Sequence, residues 1–95
     1  MDISTTGNVV TIKGNIKTVM DYQSIKENID SVAASHDAIT VRIVDSISIT
    51  SSIIGYFNKL ILKDKVKIEM KVGNSQLLEL FEDLSLTSLF NVKKA

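Results

Sequence analysis

ITVRIVDSISITSSIIGYF, Ile39 to Phe57, changes its period halfway along. Ile39, Val41 and Ile43 alternate with Thr40 and Arg42, which makes one face of an extended strand apolar and the other polar. From Ile53 the repeat is helical. Ile53, Ile54, Phe57, Leu60 and Ile61 form a stripe, while Ser52, Tyr56, Lys59 and Lys63 turn elsewhere. VKIEMKV, Val66 to Val72, then alternates again, with Val66, Ile68, Met70 and Val72 opposed by Lys67, Glu69 and Lys71. Strand, helix and strand in succession imply parallel pairing through a right-handed crossover. A sheet covered on both faces has continuous apolar strands, whereas these carry Thr, Arg, Lys or Glu at every second position. The sheet therefore packs against helices through one face only.

The same two periods extend in both directions. DIST meets Gly7 and Asn8, a pair suited to a tight turn, and VVTIK (Val9 to Lys13) follows with Val10 and Ile12 on one face, which predicts an opening hairpin. From Val19 to Ala34 a helical stripe runs through Tyr22, Ile25, Ile29, Val32 and Ala33, and Thr18 with Asp21 has the spacing of a capping box. Gly73 and Asn74 start a third helix that buries Leu77, Leu80, Phe81 and Leu84, and LTSLFNV closes as a short turn and an extended piece. No repeat or linker divides the chain. The expected fold is one α/β domain over residues 1–95, a mixed β-sheet of about four strands with three or four helices largely on one face.

Composition limits the function. Ninety-five residues with 44% apolar content hold one modest core. Eleven basic residues balance eleven acidic ones without a long block of either sign, which argues against nucleic acid or an anionic membrane as partner. Lys93 and Lys94 read as a solvated tail. Cysteine is absent, removing disulfides and thiolate chemistry, and no segment resembles a signal peptide or membrane span. A cytoplasmic domain without direct membrane insertion is expected.

Five hydroxyls fall between Ser46 and Ser52. A nucleophilic serine needs a base and an oxyanion hole. The sole imidazole, His36, precedes the strand whose far end leads to Ser51, a separation of roughly 20 Å for seven extended residues. No catalytic residue is assigned. One histidine and scattered carboxylates offer no metal-ligand spacing, and no cofactor motif is present. Two readings of the hydroxyls stay open. Thr50, Ser51 or Ser52 caps the following helix, with Ser46 and Ser48 on an open face and Ile47 and Ile49 inward. Alternatively, one serine in the first helical turn accepts a phosphate, which the helix N-terminus favours electrostatically.

TSSIIG (Thr50 to Gly55) and SQLLELFEDLSLTSLFNV (Ser75 to Val92), with the order of the elements, resemble the STAS domain shared by sulphate-transporter tails and anti-sigma factor antagonists. The resemblance spans almost the whole chain. The first segment is similar to Asp-Ser-Ser-Gly-Leu-Gly, and Leu77, Leu80, Phe81, Leu84, Leu86, Leu89, Phe90 and Val92 carry the second. What the resemblance implies is action by binding. Ser51 matches the serine phosphorylated in the antagonists by a kinase that is also the anti-sigma factor. Thr50, Ser52, Ile53 and Gly55 match its surroundings, and Gly14 and Ile16 match a turn that contributes to the same interface.

The chain departs from that pattern at four positions. Thr50 replaces the motif's Asp, Ile53 its first Gly, and Asn15 and Lys17 the two acids of the turn. Lost carboxylates change the charge offered to a partner, which governs partner choice. A bulky Ile53 at that surface suits a drier contact. The resemblance thus implies a partner switch acting on a serine kinase and anti-sigma factor. Its alternative is a constitutive accessory subunit bound to the ATPase of a lipid-transporting ABC system. A ligand-sensing module lacks a readable pocket.

Overall fold

Gly7, at φ +59°, turns the chain between β1 (Asp2–Thr6) and β2 (Val9–Lys13) in the left-handed conformation that a two-residue hairpin requires. The strands are antiparallel, with Ile3 opposite Ile12 and Thr5 opposite Val10. The computed structural model describes all residues from Met1 to Ala95. After the hairpin, α1 (Val19–Ala33), β3 (Ala38–Ile43), α2 (Ser51–Leu62), β4 (Lys67–Val72), α3 (Ser75–Asp83) and β5 (Val92–Lys94) alternate. The sheet order is β1-β2-β3-β4-β5, and the pairs from β2 to β5 are parallel.

Each crossover steps one strand in the same direction, so right-handed connections put all three helices on one face. Burial agrees. Val10, Ile12, Ile39, Val41, Ile43, Ile68, Met70 and Val72 lie under the helices, while Lys13, Arg42, Lys67 and Lys71 on the opposite face are exposed. Ile25, Ile29 and Val32 from α1, Ile53, Phe57 and Leu60 from α2, and Leu77 and Phe81 from α3 complete the core. Phe90 stands 6.0 Å from both Phe57 and Phe81, ring centre to ring centre.

The sheet has five strands where about four were expected, and the three helices fall within the expected three or four. The added strand is β5, which takes in the Lys93 and Lys94 expected as a solvated tail. Lys93 instead reaches Glu69 at 3.6 Å, and Lys94 donates to Ser75 Oγ at 3.0 Å. Lysines that pair across a sheet edge carry no apolar alternation to reveal them.

Leu84 is exposed because α3 ends at Asp83 and Ser85, at φ +58°, turns the chain away. Tyr56 also departs from expectation, being buried. It lies three residues after Ile53 and four before Leu60, so it shares their helical face. Its hydroxyl donates to Asp30 Oδ1 at 2.5 Å, and its ring meets Tyr22 edge-on across the α1–α2 contact.

Candidate functional site

The carboxyl ends of β2 and β3 meet the starts of α1 and α2, the end of the sheet where the strand-to-helix loops gather, although the uniform strand order leaves no switch point there. Two loops cross there, residues 14–18 and 44–50, and side chains lace them together. Gly14 N–H donates to Asp45 Oδ1 at 2.7 Å, Ile16 N–H to Ser46 Oγ at 3.1 Å, and Ile47 N–H to Asn15 Oδ1 at 3.1 Å. Three backbone donors that no strand or helix uses are thereby satisfied, so this end is a built platform. Gly73 closes it from beneath. A Cβ there would lie 2.2 Å from the Val44 carbonyl oxygen, a distance only glycine avoids.

Ser46 is fully buried and Ile47 is 51% exposed, the reverse of the expected facing. Residues 44–50 are not a strand and have no period of two. Ser46 turns inward because its hydroxyl both accepts from Ile16 and donates to the Ser48 carbonyl at 2.7 Å.

Thr50 caps α2, its Oγ1 accepting the Ile53 N–H at 3.3 Å. Ser51 and Ser52 occupy the first two helical positions, exposed, and their hydroxyls bond to no other group of the chain. Gly55 follows one turn later, exposed, with nothing within 4 Å of a Cβ built on it. Gly14, at φ +89°, is the turn that ends β2. Ile16 and Ile53 are each 1% exposed, so neither side chain can touch a docked partner. This corrects the dry contact expected of Ile53. Its position on the apolar stripe puts it in the core, which is why a large residue stands there.

Lys17, Thr18, Val19, Tyr22, Thr50 and Ser52 line a cleft of ≈ 290 Å³ between the two helix starts. Beside it, Val19 and Met20 are each 73% exposed. Sequence reasoning passed over this pair, although Met20 is apolar and lies off the stripe of its helix, and Val19, three residues before Tyr22, stands exposed at the stripe's N-terminal end. That mismatch is the signal that marks Met20.

The electrostatics differ between the two helix starts. In α1, Asp21 accepts the backbone N–H groups of Lys17 and Thr18 at 2.9 and 3.1 Å, and these bonds hold its carboxyl below the usual range. The first turn of α2 has no acid. Its positive end therefore stays open to an added negative charge. No base stands near Ser51: His36 lies beyond the other end of α1, its Nδ1 3.1 Å from the Val32 carbonyl oxygen.

No helix is long and apolar enough to cross a membrane, and no three His, Cys, Asp or Glu side chains gather as a metal site would need. No family model, curated protein or solved structure matches the chain.

Proposed function

We propose that this chain is a STAS-like protein-interaction module without catalytic activity, which captures a serine kinase of the anti-sigma type and releases it when Ser51 is phosphorylated. The observation that carries this reading is the state of Ser51. Its hydroxyl is exposed and unbonded in the first turn of a helix whose positive end no acid compensates. A phosphate there adds about −1.5 to −2 charges at no cost to the fold. The apolar Val19, Met20 and Ile47 at the same end supply contact area for a partner.

Those exposed apolar residues also favour a second reading, a permanent subunit on the ATPase of a lipid-transporting ABC system. A constitutive contact needs no switch, and Thr50 in place of an acid suits it.

Affinity capture with the wild-type domain and Ser51→Asp side by side separates the two. Recovery of a small serine kinase by the wild type alone supports the switch. Equal recovery of a transporter ATPase by both supports the constitutive subunit. Recovery of neither removes both.

A further inference from the structure

The sheet face turned away from the helices carries a charge pattern that the fold itself disfavours. Register places Thr11, Arg42, Lys71 and Lys93 side by side across β2, β3, β4 and β5. Neighbouring strands lie about 4.8 Å apart, so three cations fall within about 10 Å, where like charges opposed across strands are destabilising. One carboxylate relieves them. Glu69 reaches Lys71 at 3.8 Å and Lys93 at 3.6 Å. Arg42, exposed on the middle strand, makes no ion pair or hydrogen bond within the chain. Val9, Thr40, Arg42, Lys71, Lys93 and Lys94 border a hollow of ≈ 690 Å³ on this face.

The helical layer carries the opposite pattern. Glu79, Glu82 and Asp83 are exposed at i, i+3 and i+4 of α3, so they form one ridge, and none pairs with a cation. Glu82 and Asp83 also stand in the last turn, where no base compensates them and the helix dipole is already negative. Both patches cost energy where they are, and each is the complement of the other. Within one molecule they cannot meet, because α3 packs on the covered face of β4 and β5 while the cation row is on the open face.

We propose that the open sheet face binds the α3 ridge of a second copy of this chain, head to tail. A two-fold contact through the sheet face would set the row of cations against itself, whereas a head-to-tail contact sets Arg42, Lys71 and Lys93 against Glu79, Glu82 and Asp83. The zero net charge leaves no long-range repulsion between copies. Such a contact is heterologous and extends into a stack. Single-stranded nucleic acid fits the face less well, since no aromatic side chain is available there for base stacking and Glu69, opposite Thr40, stands beside the row.

Sedimentation of the wild type over a range of concentrations, with two charge-reversed variants, tests this independently of Ser51. At low salt the average mass rises with concentration. At about 1 M salt, where the screening length is about 3 Å, the rise disappears. Arg42→Glu/Lys71→Glu and Glu82→Lys/Asp83→Lys each associate at least about tenfold more weakly alone, because like charges then face each other. Mixing the two variants restores association, since each then offers the surface the other lacks. Association that ignores salt, variants that assemble like the wild type, or a mixture that stays monomeric would overturn the proposal. So would a wild type that stays monomeric at every concentration while Arg42 is needed to bind polyglutamate or polyuridylate, which would give the face to a foreign polyanion.

Discussion

Ile16 donates its backbone N–H to the hydroxyl of Ser46 at 3.1 Å, thirty residues along the chain, and both residues are buried. Ser46 in turn donates to the Ser48 carbonyl at 2.7 Å. One hydroxyl thus holds two loops in register under the start of α2. Ser46→Ala leaves the Ile16 donor buried without a partner and costs about 1–3 kcal/mol. Urea denaturation measures this. Ser48→Ala, exposed and bonded only through its backbone, changes stability by less than about 0.5 kcal/mol.

Tyr56 and Asp30 join α2 to α1, and their pair predicts effects at both ends of the pH scale. Burial pushes the Tyr56 phenol up, and the Asp30 carboxylate pushes it further. Burial also raises Asp30, but the Tyr56 hydrogen bond and the paired Lys26 outweigh it and hold the carboxyl below its usual range. A lowered carboxylate contributes stability above its unfolded value, about 3.9, that is lost as pH falls through the folded value. A raised phenol contributes stability below about pH 10 that is lost as pH rises beyond it. Tyr56→Phe costs about 1 kcal/mol at neutral pH. Its thermal melts should lose less than those of the wild type above pH 10. A mutant that parallels the wild type across the alkaline range would show that the hydrogen bond does not hold the phenol neutral.

The strands of the half-covered sheet were legible because Ile39, Val41, Ile43, Ile68, Met70 and Val72 alternate with polar residues and all turn into the core, whereas the alternation from Ser46 to Ile49 is overridden by bonds to the 14–18 loop. The Thr18–Asp21 capping box was legible because both bonds form within four residues. Ser46 was not. Its burial follows from a partner thirty residues away, and no local pattern distinguishes it from exposed Ser48. The role of Ile53 was obscured by its place in TSSIIG, where resemblance suggested a surface and the stripe indicated core. The charge segregation was also hidden. Arg42, Lys71 and Lys93 are far apart in a chain whose charges balance, and only strand register brings them into one row.

Two glycines make opposite predictions. Gly73→Ala drives a methyl into the Val44 carbonyl and costs about 2 kcal/mol or more, since backbone must move to admit it. Gly55→Ala meets nothing, and alanine in an exposed helix interior adds about 0.5–1 kcal/mol of stability. Under the proposed function Gly55 lies on the partner surface, so Gly55→Ala should raise the melting temperature and lower partner recovery together. Raised stability with undiminished recovery would place the interface elsewhere on the domain.

Val19 and Met20 offer the most direct separation of binding from folding. Both are 73% exposed and belong to no part of the core, so Val19→Ser/Met20→Ser should change stability by less than about 1 kcal/mol. Val19 lines the same cleft as Thr50 and Ser52, with Met20 exposed next to it in the chain, and a partner seated there would cover Val19. The double variant should therefore keep the melting temperature of the wild type and lose most of its partner recovery. It should do so whether the partner is a kinase or an ATPase, because both proposed contacts use this end of the domain. An unaltered recovery would leave Ser51 without an adjoining apolar contact and confine any binding to the polar start of α2.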